Sequence, residues 1–356
     1  MNGYQNGTNK GVILVLAVLV IAVLGPPSAF SQTPFYQGKT ITVIAGTSAG
    51  GTGDLRIKAM LPFLRKHIPG EPAVIMEYMD GGGGRKAANY MFRNARPDGL
   101  TIMASSGGMV AASILGESGV LYDIDKFIYL GAPEGSGHQV IYTRKDLGLD
   151  NLEKLRAASG LRIGAQTVGH TSYIAGRLFG YFIGLKDAKF IAGYTAQEVD
   201  AAILRGELDG RSNAATSVLR RNSDWLEKGI MDFHAVMEIP RGAKHPRFGH
   251  LPEIESFSKS DRESKLLTLW RTFRVAGSPY ILPPGTPRER VEVLQEAMRR
   301  ALRDSEFHAH YKKIVGEEAD QLMPEEITKS IKDIPRDPEV VDLLKKISGG
   351  GPLPPR

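Results

Sequence analysis

Two loops in the sequence combine glycine and hydroxyl-bearing residues in the setting that an anion-binding site requires. The first loop, 46–54, reads GTSAGGTGD and lies between an apolar run, 41–45, and a segment with helical spacing that includes Ile57. A strand, such a loop and a helix N-terminus bring backbone N–H groups together, and the helix dipole favours negative charge there. The simplest expectation for Asp54 is that it caps this helix.

The first loop does not have the spacing of a nucleotide-binding motif. A Walker A loop requires Lys before its final Ser or Thr, whereas Gly51 is followed directly by Thr52. The Gly-x-Gly-x-x-Gly spacing of dinucleotide-binding folds cannot be drawn through this loop either. A small carboxylate is therefore favoured over a nucleotide, and a tight turn that binds no ligand is the alternative.

The second loop, 164–173, reads GAQTVGHTSY and also joins an apolar run to a helical segment. Two loops of the same chemistry in two α/β halves indicate a cleft in which each half presents a helix N-terminus to one ligand. Ser105 and Ser106, at the end of a third predicted strand, would add hydroxyl donors to the rim of this cleft. An ordinary turn at the end of the strand is the alternative for these two serines.

Residues that would support metal chemistry or catalysis are scattered. The chain has no cysteine and no His-Glu-x-x-His motif. His308 and His310 are two residues apart, so on a helix they point to different faces. The tetraglycine 81–84 is expected to be a flexible turn rather than an anion site. We therefore expect no metal, no cofactor and no enzymatic activity.

The elements that must position these loops form an alternating pattern. Short β-branched runs alternate with segments of helical period, which predicts an α/β fold with mainly parallel sheets. Thr195-x-x-Glu198 and Thr286-x-x-Glu289 predict capping boxes, and Asp337 predicts the start of a last helix that ends at Gly349. The predicted strands are 41–45, 73–78, 101–105, 139–143, 162–165, 189–193 and 235–239.

The N-terminus and the composition indicate the compartment. The 356-residue chain is 42% hydrophobic and 24% charged, which fits about two folded domains and excludes a disordered chain. An apolar run, 12–24, precedes a small-x-small pattern at 29–31, and this predicts a signal peptide, 1–31, and export to a bacterial periplasm. The run is too short for a membrane anchor, which needs about 20 residues. The net charge of +6 is dispersed, so no nucleic-acid partner is expected.

The order of several motifs resembles the Bug-type extracytoplasmic solute receptors, the substrate-binding proteins of tripartite tricarboxylate transporters. The resemblance begins with Ile41-Thr-Val-Ile and the Ala49-Gly-Gly-Thr-Gly-Asp54 loop, and it covers nearly all of the chain after the leader. The motifs that continue it are Val74-Ile-Met-Glu77, Pro97-Asp-Gly-Leu-Thr101, Gly164 to Tyr173, Gly193-Tyr194, Gly206-Glu-Leu-Asp209 and Pro284-Gly-Thr-Pro287.

The resemblance implies a periplasmic-binding-protein fold, with two α/β lobes, a ligand cleft between them and crossing strands that join them. We expect domain 1 to comprise 33–138 and 268–356, and domain 2 to comprise 139–267, with 139–143 and 273–276 as the crossing strands. A protein of this kind is a monomeric receptor that captures a mono- or dicarboxylate, aromatic acids included, and delivers it to membrane permease subunits. A ligand-sensing receptor that docks a signalling ectodomain is the main alternative. An exported hydrolase is a weaker one, since no nucleophile–base pair is recognised.

The resemblance also assigns the ligand contacts. The first loop would hold one carboxylate, and the second loop would act from the opposite lobe. Where the family usually has an Asp, this chain has Asn213, and Arg211 two residues earlier would make the cleft more favourable for anions unless it faces solvent. The residues expected to bind the ligand are Thr47, Ser48, Ala49, Gly50, Gly51, Thr52, Asp54, Ser105, Ser106, Thr167, Gly169, His170, Thr171, Ser172, Arg211 and Asn213.

Overall fold

The computed structural model describes residues 1, 3, 33–105, 107–134, 137–276 and 278–356. The predicted signal peptide, 1–31, therefore lies almost entirely outside the described residues, and so does Ser106. The described chain is built on two separate five-stranded sheets. Within these ranges no helix is both long enough and apolar enough to cross a membrane.

The first sheet has the strand order β2-β1-β3-β10-β4. β1 pairs in parallel with β2 and β3, whereas β10 runs antiparallel to both of its neighbours. Ile41, Val43 and Ile44 of β1 are buried, as expected for a β-branched strand at the centre of a covered sheet. The strands are β1 (Thr40–Ala45), β2 (Ala73–Tyr78), β3 (Thr101–Ala104), β4 (Ile128–Gly131) and β10 (Tyr280–Leu282).

The second sheet repeats this arrangement with the order β7-β6-β8-β5-β9. β6 pairs in parallel with β7 and β8, and β5 runs antiparallel to β8 and β9. Each sheet thus has three parallel neighbours, one reversed strand and an outer strand that returns to the first direction. The strands are β5 (Gln139–Arg144), β6 (Arg162–Gly164), β7 (Lys189–Ile191), β8 (Gly210–Ala214) and β9 (Met231–Met237).

Helices follow most of the strands, which is the alternation that the sequence predicts. The helices are α1 (Thr52–His67), α2 (Arg85–Arg93), α3 (Gly108–Ile114), α4 (Leu152–Ala157), α5 (Thr171–Ile183), α6 (Ala196–Leu204), α7 (Ala215–Arg221), α8 (Ser223–Glu227), α9 (Asp261–Val275), α10 (Arg288–Arg303), α11 (Ser305–Val315), α12 (Pro324–Lys332) and α13 (Pro338–Ser348). Short 3₁₀ turns occupy Gly82–Gly84, Ile124–Lys126, Lys145–Leu147 and Ile254–Phe257.

The C-terminal helix packs on the second half of the molecule. α1 packs against α10 and α11, but α13 packs against α5 and α9. Arg177 of α5 donates hydrogen bonds to the carbonyl oxygens of Ile347 and Gly351. The segment 268–356, expected to belong to domain 1, therefore ends in contact with a helix of the 139–267 segment.

The predicted crossing strand 273–276 is wrong, because these residues form the last turn and the C-cap of α9. The boundary expected at residue 268 also falls inside this helix. The Ser260 side chain accepts a hydrogen bond from the Glu263 N–H (3.3 Å), so the helix begins at a Ser-x-x-Glu cap that precedes a 15-residue run. That pattern was available in the sequence and outweighs the β-branched Val275.

Of the three other helix starts that the sequence predicts, two are confirmed and one is wrong. Thr195 and Glu198 form the predicted capping box, and the Asp337 side chain caps α13. Thr286 does not cap α10, because its hydroxyl donates to the Pro283 carbonyl oxygen (2.9 Å) and the helix begins after Pro287.

Candidate functional site

The candidate ligand site is a small cavity between the two sheets, at the carboxyl ends of four strands. Thr47 follows β1, Ser105 follows β3, Gln166 follows β6 and Asn213 is near the end of β8. Ligands of parallel sheets bind at these ends, where successive strands diverge. This inner cavity has a volume of about 100 Å³. Its lining residues are Thr47, Ser48, Gly51, Thr52, Gly53, Arg56, Ser105, Gly107, Gln139, Gln166, His170, Thr171, Ser172, Ala196, Asn213, Ala214, Arg221, Arg274 and Ser278.

An outer chamber of about 230 Å³ adjoins the inner cavity. The two spaces share four lining residues, Thr47, Ser48, Gln166 and His170. Thr167 lines the outer chamber only. Carboxylates line the outer chamber, from Asp80 and Glu198, whereas the described lining of the inner cavity contains three arginines and no Asp or Glu. An anion is therefore favoured in the inner cavity.

The first loop leads directly from β1 into α1. Gly51 is the N-cap residue and has extended backbone angles. The first-turn N–H groups of any α-helix have no partner within the helix, and Gly51 has no side chain that could cap those of α1. Four of the residues expected to bind the ligand, Thr47, Ser48, Gly51 and Thr52, line the inner cavity. Ala49 and Gly50 do not line it, and the Gly50 carbonyl oxygen instead accepts a hydrogen bond from Gln197 Nε2 (3.0 Å).

Asp54 supports the first loop from behind and does not line the cavity. It is the third residue of α1 rather than its N-cap, and its side chain is fully buried. Its carboxylate accepts hydrogen bonds from the Gly50 N–H (2.8 Å), Lys58 Nζ (2.8 Å) and the Tyr78 hydroxyl (2.7 Å). Burial opposes ionisation, but these donors hold the pKa of Asp54 below its usual range. Asp54 was expected to cap the helix and to contact the ligand. In the structure its carboxylate instead holds the first loop through the Gly50 N–H.

The second loop is organised by a hydrogen-bond network at the N-terminus of α5. The Ser172 backbone N–H donates to His170 Nδ1 (3.2 Å), so His170 is the N-cap of the helix. Because a backbone N–H can only donate, the neutral imidazole carries its proton on Nε2. Burial lowers the pKa of His170 to about 4, and the nearby Arg211 and Arg274 charges add to this effect. The ring is therefore uncharged at neutral pH.

Gln166 is fixed by the same network. Its Oε1 atom accepts from Ser172 Oγ (2.5 Å) and from Arg211 Nη2 (3.3 Å). Its Nε2 atom consequently lies toward His170 Nε2, at 3.5 Å. Both atoms carry hydrogens and cannot satisfy each other, so this donor pair, His170 Nε2–H and Gln166 Nε2–H, is available to an acceptor on a ligand.

Arg211 acts behind the wall of the cavity rather than in it. Its side chain is fully buried and does not line either chamber, so it neither faces solvent nor reaches the ligand space directly. Its Nη1 atom donates to Asp200 Oδ1 (2.7 Å) and to the Ala196 carbonyl oxygen (3.1 Å). With its Nη2 atom on Gln166, Arg211 is a positioning residue for the donor pair.

Asn213 does line the inner cavity. Its Oδ1 atom accepts the Ala214 N–H (3.0 Å), and its buried Nδ2 atom lies toward the buried Tyr142 hydroxyl. A ligand contact from the Asn213 side chain stays a prediction.

Three arginines of the inner cavity were missed by the sequence reasoning. Arg56 lies on α1 one turn after Thr52, Arg221 ends α7, and Arg274 lies in the last turn of α9. The position of Arg56 four residues after the helix start was a usable signal, because such residues share a helix face. Arg221 and Arg274 reach the inner cavity only because their helices pack beside it. The local sequence around them does not predict this packing.

Three glycines bring loops of the two halves into close contact. A Cβ atom on Gly108 would lie 2.5 Å from the Gly83 carbonyl oxygen and 2.8 Å from that of Gly169. Gly169 and the tetraglycine residue Gly83 also have positive φ angles, of 82° and 63°. The expected ligand contact from Gly169 is thus replaced by a backbone contact, and the tetraglycine is a specific packing element.

A serine-hydrolase arrangement is not supported. The segment 46–50 has the Gly-x-Ser-x-Gly spacing of a nucleophile elbow, and Ser48 and His170 line the same cavity. His170 Nδ1, however, is occupied by the Ser172 N–H rather than by an orienting carboxylate. With a pKa of about 4, the imidazole is also a poor general base at neutral pH.

The described residues also form a second, larger cavity, and they contain no cluster of metal-binding side chains. A larger cavity of about 680 Å³ lies between α5, the 254–257 turn and the C-terminal tail, and it contains none of the predicted ligand residues. No group of three or more His, Cys, Asp or Glu side chains in the described ranges could hold a metal ion.

The chain is similar in structure to solved periplasmic binding proteins, although no protein-family model and no curated sequence matches it. The periplasmic binding protein BugD superposes with a TM-score of 0.66 at 20% identity, over 88% of this chain and 98% of BugD. This chain has the periplasmic-binding-protein fold. MatC from Rhodopseudomonas palustris, solved with malate, gives a TM-score of 0.65 at 17% identity, over 87% of this chain and 99% of MatC.

A third similar structure is a Rhodopseudomonas palustris protein solved with adipate, at a TM-score of 0.64 and 18% identity, over 87% of this chain and 96% of that one. These similarities confirm the expected two-lobed α/β fold. They also confirm, at the level of the fold, the resemblance to Bug-type receptors. At such identities the similarity does not extend to the ligand.

Proposed function

We propose that this protein is a periplasmic receptor of the Bug type that captures a small organic carboxylate in the inner cavity. The observation that carries this proposal is the chemistry of the cavity wall. Its described lining residues include three arginines and several hydroxyl and amide donors, but no Asp or Glu. A wall of donors and cations stabilises a ligand that brings acceptors and negative charge.

The backbone adds to this preference. The N-termini of α1 and α5 meet at the inner cavity, through Thr52 and Thr171. The first-turn N–H groups of each helix lack partners within the helix, and each helix dipole is positive at this end. The cavity volume of about 100 Å³ favours a short acid over a nucleotide or a peptide.

The similar structures support the same ligand class. MatC was solved with malate, and the second Rhodopseudomonas palustris protein was solved with adipate. By analogy we propose that the closed receptor delivers its acid to the permease subunits of a tripartite tricarboxylate-type transporter. We also propose that it acts as a monomer, without a cofactor or catalytic activity, and that it is exported by cleavage of the leader 1–31.

The ligand class can be tested by a thermal-shift screen. The purified protein is unfolded and refolded to remove any bound ligand, and is then mixed with mono-, di-, tri- and aromatic carboxylates. An acid at 100 times its Kd stabilises the folded state by about 2.7 kcal/mol, which raises Tm by a few degrees. We expect a shift confined to one class of acids. No shift with any acid would contradict the proposed function.

Delivery to a permease requires a separate experiment. We expect a strain that lacks the gene to take up the bound acid more slowly than its parent, with recovery when the gene is supplied again. Normal uptake, together with a lost transcriptional response to the same acid, would assign the protein to ligand sensing.

A further inference from the structure

Arg274 differs from the other arginines of the inner cavity in its charge environment. Arg56 Nη2 lies 2.5 Å from Glu134 Oε1 and 3.4 Å from Glu317 Oε1. Arg221 Nη2 lies 3.1 Å from Asp200 Oδ2. Arg56 is thus paired with two carboxylates, whereas Arg221 shares the single charge of Asp200 with Arg211.

Arg274 has no salt-bridge partner among the described residues. Its side chain is only 8% exposed and lines the inner cavity. Its Nη1 atom donates to Thr171 Oγ1 at 3.3 Å, and its Nε atom has no hydrogen-bond partner in the described part of the chain. Burial lowers the pKa of Arg274, which reflects the cost of keeping this charge away from water. Glu134 is the nearby carboxylate, but it is paired with Arg56.

The donor pair lies at another part of the same space. Arg274 lines the inner cavity only, whereas Gln166 and His170 line both the inner cavity and the outer chamber. The donor pair therefore lies at the junction of the two spaces. Arg274 is close enough to His170 for its charge to lower the pKa of the imidazole, so a short ligand at this junction can meet both a cation and two neutral donors.

We propose that Arg274 is the residue that selects a dianionic acid, by pairing with one carboxylate of a short dicarboxylate while the donor pair and the first-loop N–H groups hold the other. The inference rests on the proposed function and assigns its specificity. A guanidinium fork binds a carboxylate through two parallel hydrogen bonds, which Arg274 can offer through its two terminal nitrogens. A monocarboxylate leaves either this cation or the donor pair without an acceptor.

The test is a calorimetric titration of the refolded full chain with matched acids of equal length, butyrate against succinate and pentanoate against glutarate. We expect the wild type to bind a dicarboxylate at least tenfold more tightly than its monocarboxylate partner. Arg274→Gln should lower dicarboxylate affinity by about ten- to a hundredfold, the range for a hydrogen bond to a charged group, and change monocarboxylate affinity much less. Arg274→Lys, which keeps the charge but not the fork, should fall between.

Arg288→Gln is the matched control, because this exposed arginine of α10 forms a salt bridge with Glu292 on the same helix and does not line the inner cavity. It should retain the wild-type preference. A wild type that binds butyrate as tightly as succinate, and pentanoate as tightly as glutarate, would overturn the assignment even if Arg274→Gln did not fold. An Arg274→Gln protein that keeps the full preference would also overturn it. Failure of every acid to bind would instead contradict the proposed function itself.

Discussion

Single side chains in the cleft are held in defined protonation and orientation by partners outside it. Arg211 pairs with Asp200 and fixes the amide of Gln166, while the Ser172 N–H fixes the tautomer of His170. In this network the Gln166 and His170 atoms that remain available at the inner cavity are donors. Preorganised donors of this kind bind without first giving up bonds to one another, which limits the entropy cost of binding.

The partly buried His170 gives the stability of the protein a definite pH dependence. Its pKa is about 4 in the folded protein and about 6.5 in an unfolded chain. Between these values the unfolded chain binds a proton that the folded protein excludes, so the free energy of unfolding falls as pH decreases from 6.5 to 4. Burial lowers the pKa values of His234 and His245 to about 4 as well, and these residues act in the same direction.

His170→Asn should reduce this slope without removing the helix cap, since an Asn side chain accepts the same backbone N–H. The loss is at most about 1.4 kcal/mol per pH unit, the value for one proton. Urea unfolding at several pH values measures it. Above pH 7 the free energy of unfolding should change with pH equally in the wild type and in His170→Asn, which serves as the internal control. Equal pH dependence of the two proteins between pH 4 and 6.5 would contradict the assignment of a low pKa to His170.

At the residue scale, sequence predicted the loop positions better than the charged side chains. Thr47, Ser48, Gly51 and Thr52 line the cavity because a strand–loop–helix connection fixes them locally. Arg211 was expected to bind the ligand because it lies two residues before Asn213 in the sequence. In a strand, residues i and i+2 share a face, but the Arg211 side chain folds onto Asp200 below the wall, and only the tertiary structure shows this.

At the scale of elements, the N-terminus of α3 packs against two loops, one containing Gly83 and the other containing Gly169. This packing limits how closely the two lobes can approach each other. Gly108 is in helical conformation, so any side chain there would meet the backbone oxygens of Gly83 and Gly169. Gly176, in the interior of α5, has only ordinary contacts within reach of a Cβ atom, the nearest at 3.5 Å. Gly108 is the first residue of its helix and Gly176 lies inside one, and an added Cβ atom would meet backbone oxygens only at Gly108.

Gly108→Ala should force the 164–173 loop away from the first lobe. We expect a loss of ligand affinity of at least tenfold and a destabilisation of about 1–3 kcal/mol, typical of overpacking. Gly176→Ala is the control, and it should be neutral or slightly stabilising because Ala favours the helix. Titration calorimetry and thermal unfolding measure both effects, and similar behaviour of the two variants would refute the role of the close contact.

Elements were predictable where the local pattern was strong. The strands β1 and β2, the Thr195 capping box and the last helix were found because their apolar spacing and caps agree. β8 was not predicted, since its sequence, GRSNA, is polar although its Arg, Ser and Asn residues are buried. Its burial depends on pairing with β5 and β6 and on the Asp200 ion pair, which are non-local.

For the whole molecule, the contacts between the lobes describe a closed form. Thr52 Oγ1 lies 2.7 Å from Ser217 Oγ, and Gln197 Nε2 donates to the Gly50 carbonyl oxygen. Thr216 donates to Glu317 at the same interface. The chain crosses from one sheet to the other between β4 and β5, returns before β10 and crosses once more to place α13 on the second half, so a hinge motion would act across three connections.

Closure predicts a change in overall size on ligand binding. Small-angle X-ray scattering of the refolded protein should give a smaller radius of gyration when a bound acid is saturating than when it is absent. The same acid should leave the radius of a Gly51→Val protein unchanged. An identical radius in the wild type with and without acid would contradict a hinge that responds to ligand.

The central claim is that the first loop and the facing lobe bind a small carboxylate, and titration calorimetry of Gly51→Val tests it most directly. Gly51 has a φ of −77°, and its nearest neighbour to an added Cβ is 3.7 Å away, so Val fits the fold while it fills the inner cavity. Gly350→Val, at an exposed glycine with open space around it, is the matched control. We expect saturable one-site binding of an acid to the wild type and to Gly350→Val, and none to a folded Gly51→Val. Equal binding to all three proteins would place the ligand elsewhere and refute a role for the first loop.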